Sequence, residues 1–142
     1  MTIAVILGGK GHDVVSIAAD ASVGDAVKLL AERRIGAVPV LESDAVVGVF
    51  SERDVIRLLA ERGTAALDMV VRDAMTAPAM TVTPSEPVLG ALSLMTRRRI
   101  RHLPVLDGDA LVGVVSIGDL VKHRIDRIEA EAAAMRDYIQ QA

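Results

Sequence analysis

The chain repeats itself. Shifted by 65 positions, it aligns with itself without a gap over 41 residues, of which 16 are identical. Arg33-Arg34-Ile35 falls on Arg98-Arg99-Ile100, and Pro39-Val40-Leu41 falls on Pro104-Val105-Leu106. The stretch from Gly48 to Asp54 falls on the stretch from Gly113 to Asp119. A repeat of this length is one supersecondary unit that cannot bury its apolar face alone. Two such units are expected to clasp each other about a pseudo-twofold axis. That arrangement leaves two related clefts, and clefts between packed units are where small ligands sit.

Composition limits what the units are made of and what they meet. The 142 residues are 51% hydrophobic but only 1% aromatic, so the core must come from Val, Leu, Ile, Ala and Met. Cysteine is absent, which excludes disulfides, thiolate metal sites and Cys nucleophiles. A net charge of −3 offers no long-range attraction to nucleic acid or anionic membrane. One Tyr, one Phe and no Trp leave no stacking platform for single strands. Residues 74–95 carry a single charge, Glu86, yet Pro78, Pro84 and Pro87 argue against a spanning helix. Residues 3–7 are apolar but too short, with no basic segment before them. The expectation is a soluble cytoplasmic protein without nucleic-acid or membrane partners.

The pattern predicts an α/β (α+β) protein in which each repeat is a small three-stranded sheet with two helices. In the first copy, Val14–Ala18 is extended and Ser22 caps a helix carrying Val23, Ala26, Val27, Leu30 and Ala31. Val38–Leu41 and Ala45–Phe50 are strands around a Glu42-Ser43-Asp44 turn. Ser51 caps a second helix with Val55, Ile56, Leu58 and Leu59 on its apolar face. In the second copy, Thr81–Thr83 is extended, Val88, Ala91, Leu92 and Met95 mark a helix, and His102–Leu106 and Ala110–Val115 are strands. Short lead-ins, Thr2–Leu7 and Val71–Met75, are expected to open the two copies. This divides the chain into 1–70, 71–123 and a helical extension over 124–142. In the extension Val121, Ile125, Ile128, Ala132, Met135 and Ile139 recur at 4-3-4-3-4 spacing, a seam suited to a second subunit or to folding back on its own domain.

The strongest chemical pattern is Gly, two apolar residues, Ser-x-x-Asp, present as Gly48…Ser51…Asp54 and Gly113…Ser116…Asp119. A strand feeding a helix N-terminus presents free N–H groups and the positive end of the helix dipole. A hydroxyl and a carboxylate held there can bond a vicinal diol such as a ribose. The same residues also form a capping box that does nothing but stabilise its helix. Pro39 and Pro104 lie within strands, where they cannot donate; they mark an edge strand or bulge, or backbone left free to approach a ligand. Arg101 and His102 follow an Arg run and offer a fork and a donor to an anion. Their counterparts are Gly36 and Ala37, and Arg53 faces Gly118, so the clefts are not equivalent. Gly8-Gly9-Lys10-Gly11 lacks the spacing and ending of a phosphate loop. His12 and His123 stand alone, without metal-ligand spacing, and no Ser-His-Asp or paired-carboxylate arrangement emerges.

Together these residues resemble a tandem pair of cystathionine β-synthase (CBS) domains, a Bateman module. The resemblance rests on Ile35–Val40 with Gly48–Asp54, on Ile100–Val105 with Gly113–Asp119, and on the lead-in Val71–Thr76. It implies a free-standing, non-catalytic sensor that binds an adenine nucleotide (AMP, ADP, ATP, NAD) or S-adenosylmethionine between the repeats. It further implies a homodimer and an unidentified protein whose activity is regulated. By position, Asp54 with Ser51 and Asp119 with Ser116 would hold the ribose. Ile17-Ala18 and Val82-Thr83 would border the base. Arg101 and His102, with Arg53, would meet phosphates, and Ala37 and Leu103 would line the strands beside them.

Overall fold

The computed structural model describes residues 1–10 and 14–141; His12 and Gly11 lie outside the described residues. The chain runs α1 (Ile3–Lys10), β1 (Ile17–Ala18), α2 (Val23–Arg33), β2 (Ala37–Glu42), β3 (Ala45–Ser51), α3 (Glu52–Arg62) and a 3₁₀ segment (Gly63–Asp68). It continues through α4 (Val71–Ala74), α5 (Val88–Arg98), β4 (His102–Asp107), β5 (Ala110–Ser116) and α6 (Ile117–Gln141). The mixed α/β class and the doubled unit follow the sequence expectation.

Local chemistry sets the boundaries. Ser22 Oγ accepts from the Asp25 N–H at 3.0 Å and starts α2. Pro87 stands at the N-cap of α5, where a missing N–H breaks no helical bond. α2 and α5 both end on an arginine in the left-handed region, Arg34 and Arg99, each at φ 54°. Most helices reserve that conformation for Gly or Asn.

The first sheet has the order β1-β2-β3, with β1 parallel and β3 antiparallel to β2. The second is narrower than expected: β4 and β5 pair antiparallel, and the predicted third strand shrinks to one parallel bridge, Val82 to Val105. A single substitution accounts for this. In the first copy the Ala19 N–H donates to Leu41 O at 2.9 Å and extends the pairing. Sixty-five residues on stands Pro84, which has no N–H to give. Pro39 is not on an edge, because β2 is the central strand. It lies opposite Val49, whose N–H and C=O both turn away to Thr76 at 2.9 Å. No bond across to β3 is therefore lost at Pro39. The register slips one residue later, between Val40 and Leu41, and again between Val105 and Leu106.

Two hydrophobic cores form, and neither follows chain order. α1 precedes the first copy, yet Ile3 and Ile6 are buried in the second core with Val88, Met95 and Leu103. Its first turn is tied there by Ile3 N–H to Glu86 O and Ala4 N–H to Pro84 O, both 2.9 Å. α4 precedes the second copy, yet Val71 and Ala74 are buried in the first core with Val38, Val40 and Phe50. Each lead-in is thus lent to the other half, so the packed halves cut across the predicted boundary at 70/71.

Two helix faces depart from the periodicity. On α3, Leu58 is buried and Val55 packs on the core, but Ile56 is 70% exposed and Leu59 is exposed. On α6, Leu120 is buried, while Val121, Ile125, Ile128, Met135 and Ile139 face solvent. The extension does not fold back on its own domain.

Candidate ligand-binding site

The second copy builds an open site. β5 runs into α6 at Ser116, and Asp119 lies in the first helical turn. The Ser116 N–H donates to Asp119 Oδ2 at 2.8 Å, and the Asp119 N–H donates to Ser116 Oγ at 3.1 Å. These bonds hold a carboxylate at the positive end of a 25-residue helix. The Asp119 side chain keeps 27% of its exposure. It faces a cleft of about 390 Å³, lined in part by Ser116, His102 and Val112 from its own copy. Val14, Val15, Arg34, Ile35, Gly36 and Ala37 bring the first copy to the same cleft, and Leu7 and Lys10 bring α1. Lys10 Nζ donates to Asp119 Oδ2 at 2.6 Å and to Val114 O at 2.9 Å.

Charge in the cleft is tuned by these neighbours. Burial pushes the Asp119 carboxyl up, but the Lys10 hydrogen bond, the Ser116 N–H and the Lys10 charge outweigh it and hold the group below its ordinary value. Burial holds the His102 imidazole below its ordinary value, against the opposing pull of Glu52 and Asp119. Among the described residues, the cleft thus holds one carboxylate and two cations, Lys10 and Arg34, beside a histidine biased towards its neutral form.

The first copy builds the same motif and closes it. Asp54 is 4% exposed. Its Oδ2 accepts from Ser51 N at 2.9 Å and from Ser51 Oγ at 3.2 Å, and the Asp54 N–H donates to Ser51 Oγ at 3.4 Å, which completes a capping box at the start of α3. Its Oδ1 accepts from Thr76 Oγ1 at 3.0 Å and from Arg57 Nη2 at 3.2 Å. Gly48 is covered as well: a Cβ there would come within 2.6 Å of Met75 Sδ and 2.8 Å of Thr76 O. Arg53 reaches over to Arg99 O at 3.1 Å.

Of the residues predicted to form sites, the structure brings Ala37, His102, Ser116 and Asp119 to the open cleft. The others lie elsewhere. Ser51, Asp54 and Arg53 belong to the closed copy. Leu103 is fully buried in the second core, because strand alternation turns it away from His102. Val82 is buried in that core too, drawn in by its bridge to Val105. Ile17 packs on the first core, Ala18 is exposed, and Thr83 is exposed with its Oγ1 3.0 Å from Ser85 Oγ. Arg101 is exposed, and its carbonyl accepts from the Ile117 N–H at 2.8 Å. Beside the cleft in the first copy stand Val14 and Val15, not Ile17 and Ala18. Lys10, Arg34 and the Val14-Val15 pair are the residues that sequence reasoning missed. Their signals were the lysine of the glycine-rich tetrapeptide, the repeated arginine and the start of the first extended stretch. Gly8, Gly9 and Lys10 form the last turn of α1, so the tetrapeptide's described residues make no phosphate loop.

Comparison with known proteins agrees with this architecture. The CBS domain model matches residues 11–61 and again 71–126. The chain belongs to the CBS domain family, with two domains in tandem. A CBS-domain containing protein from Agrobacterium tumefaciens has a solved structure 37% identical to this chain, with a TM-score of 0.84 over 87% of this chain and 99% of that one. The mitochondrial CBS domain-containing protein CBSX3 of Arabidopsis thaliana is 36% identical over 126 residues, covering 85% of this chain. The chain spans 61% of that relative's length. The structure of CBSX2 in complex with AMP is 26% identical, with a TM-score of 0.74 over 88% of this chain and 96% of that one. No helix among the described residues is long and apolar enough to cross a membrane.

Proposed function

We propose that this protein is a non-catalytic regulatory module that binds an adenosine-containing ligand in the Asp119 cleft. AMP, ADP, ATP, NAD and S-adenosylmethionine are the compounds to be distinguished. One observation carries the reading: Ser116 and Asp119 sit at a helix N-terminus and open onto a cleft walled by both copies. A ribose diol bonds to that hydroxyl and carboxylate. Adenine lies against Val14, Val15, Ile35 and Val112, which supply apolar surface in a chain nearly without aromatics. Phosphate oxygens meet Arg34 and the donors beside it. The AMP bound by CBSX2, a relative of the same fold, supports the ligand class. A ligand gripping walls from both copies favours the orientation of the copies it fits best, and shifts the population only by that preference. The outer surface then changes for a regulated protein to read.

The exposed Ile56 and Leu59 of α3 and the stripe along α6 supply apolar area for a second copy of the chain. We take the functional unit as a homodimer in the cytoplasm. Sedimentation equilibrium giving a monomer at tens of micromolar would remove that part of the reading.

A thermal-shift panel of the five compounds tests the ligand. A compound at one hundred times its dissociation constant is expected to stabilise the protein by about 2.7 kcal/mol. The same compound should do nothing for Asp119→Ala. If no compound raises the melting temperature of the wild type, the site is structural and the motif only caps its helix.

A further inference from the structure

Lys10 does in the second half what Thr76 does in the first. Thr76 Oγ1 donates to Asp54 Oδ1, and its backbone N–H donates to Val49 O. Sixty-five residues beyond those acceptors lie Asp119 and Val114, and both accept from the single ammonium of Lys10. The chemistry of the two caps differs. Thr76 is held by a pair of backbone bonds with Val49, and its hydroxyl sits on a short branch. Lys10 is the end of a four-carbon stem, 39% exposed, with free rotation about each bond. Its anchor is firm, because Leu7 lies over Gly113 and Ile3 and Ile6 are buried in the second core. One cap is part of the fold. The other can swing without disturbing it.

Resting on the ligand reading above, we propose that Lys10 is the charge selector of the cleft: it occupies Asp119 in the empty protein and transfers to the ligand's phosphate when a ribose takes its place. A ribose hydroxyl arriving at Asp119 competes with the ammonium. A neutral nucleoside displaces Lys10 and returns nothing, so the lysine opposes it. A nucleotide returns an anion to the same ammonium, with Arg34 on the same wall. A sulfonium compound brings a second cation to a lysine that has lost its carboxylate. The cleft therefore ranks phosphate-bearing ligands above neutral ones, and neutral ones above cationic ones. The device needs no movement of the backbone.

Isothermal titration of AMP, adenosine and S-adenosylmethionine into wild type, Lys10→Met and Lys10→Arg decides the matter. Methionine keeps the apolar stem and removes the charge. AMP should weaken about tenfold or more in Lys10→Met, the size of one lost charge-assisted bond. Adenosine and S-adenosylmethionine should bind the same variant more tightly than they bind wild type. Lys10→Arg should keep the preference for AMP. Equal weakening of AMP and adenosine makes Lys10 merely structural and overturns the proposal, as does no change in either. A wild type that binds none of these three, nor ADP, ATP or NAD, overturns the ligand reading itself, and this inference with it.

Discussion

Asp54 and Asp119 hold the same place in two copies of one motif, yet one is sealed and the other faces a cleft. Asp54 accepts four hydrogen bonds, including one each from Thr76 and Arg57, and is almost wholly buried. Among the described residues, Asp119 keeps the capping bonds to Ser116 and adds only the lysine of α1. What differs is not the motif but the segment laid across it. α4 and Thr76 follow the first core and close its motif; α1 crosses from the chain's start, lays Leu7 over Gly113 and reaches Asp119 with the long side chain of Lys10. A Ser-x-x-Asp motif is both a helix cap and a diol site in waiting, and the covering segment selects between them.

The contrast predicts unequal losses. Asp54→Ala removes four bonds to a buried carboxylate and should cost about 3 kcal/mol in a urea titration, near 1 kcal/mol per bond with partial compensation by water. Asp119→Ala removes one side of a cap and should cost about 1 kcal/mol. Function should invert the order: the stabilisation conferred by AMP disappears in Asp119→Ala and survives in Asp54→Ala. Equal stability losses would show that the two sites are alike in solution.

A smaller effect separates the glycines one strand earlier. Gly48 and Gly113 are counterparts, and a Cβ at either meets a neighbour. At Gly48 it strikes Thr76 O at 2.8 Å, a backbone atom fixed by the ladder to Val49, as well as Met75. At Gly113 it strikes only Leu7 Cδ2 at 2.5 Å, the end of a side chain that can rotate. Gly48→Ala should destabilise by about 2 kcal/mol, and Gly113→Ala by less than about 1 kcal/mol. Denaturant midpoints of the two variants measure the difference, and equal midpoints would mean that the cover over Gly48 yields as readily as Leu7.

What was legible in the sequence is local. Strand, turn and cap lie within a few residues of one another, so Ser22, Ser51 and the two Ser-x-x-Asp motifs announced their helices. The register that puts Ala37, His102, Ser116 and Asp119 together also follows from the repeat. Leu103 was legible in the opposite sense: alternation places it on the face away from His102, so the two do not share one cleft. The exchange of α1 and α4 between cores was not legible, because it is a long-range choice between two similar apolar surfaces. With it went Lys10, whose partner lies 109 residues away. The missing third strand of the second sheet was readable from Pro84 against Ala19, a pairing visible in the repeat alignment itself.

The smallest effect is a pH dependence that belongs to one cleft. His102 lies by the open site, and its counterpart in the other copy, Ala37, cannot titrate. Around it, Glu52 and Asp119 favour its charged form while Lys10, Arg101 and burial disfavour it; burial is the largest influence and the balance lowers its pKa. The unfolded chain therefore takes up that proton first as pH falls. Stability should be full above the ordinary histidine value of about 6.5, and should fall below it until the folded imidazole is protonated as well. Asp119 adds a second, more acidic step. Its folded pKa is depressed, so its contribution is present above the ordinary carboxylate value of about 3.9 and is lost as pH falls through the lower folded value. Urea midpoints recorded from pH 8 to pH 3 should thus fall in two stages. His102→Gln should flatten the first stage and Asp119→Asn the second, while Ala37→Ser leaves both. A first stage that persists in His102→Gln would move the titration out of the cleft.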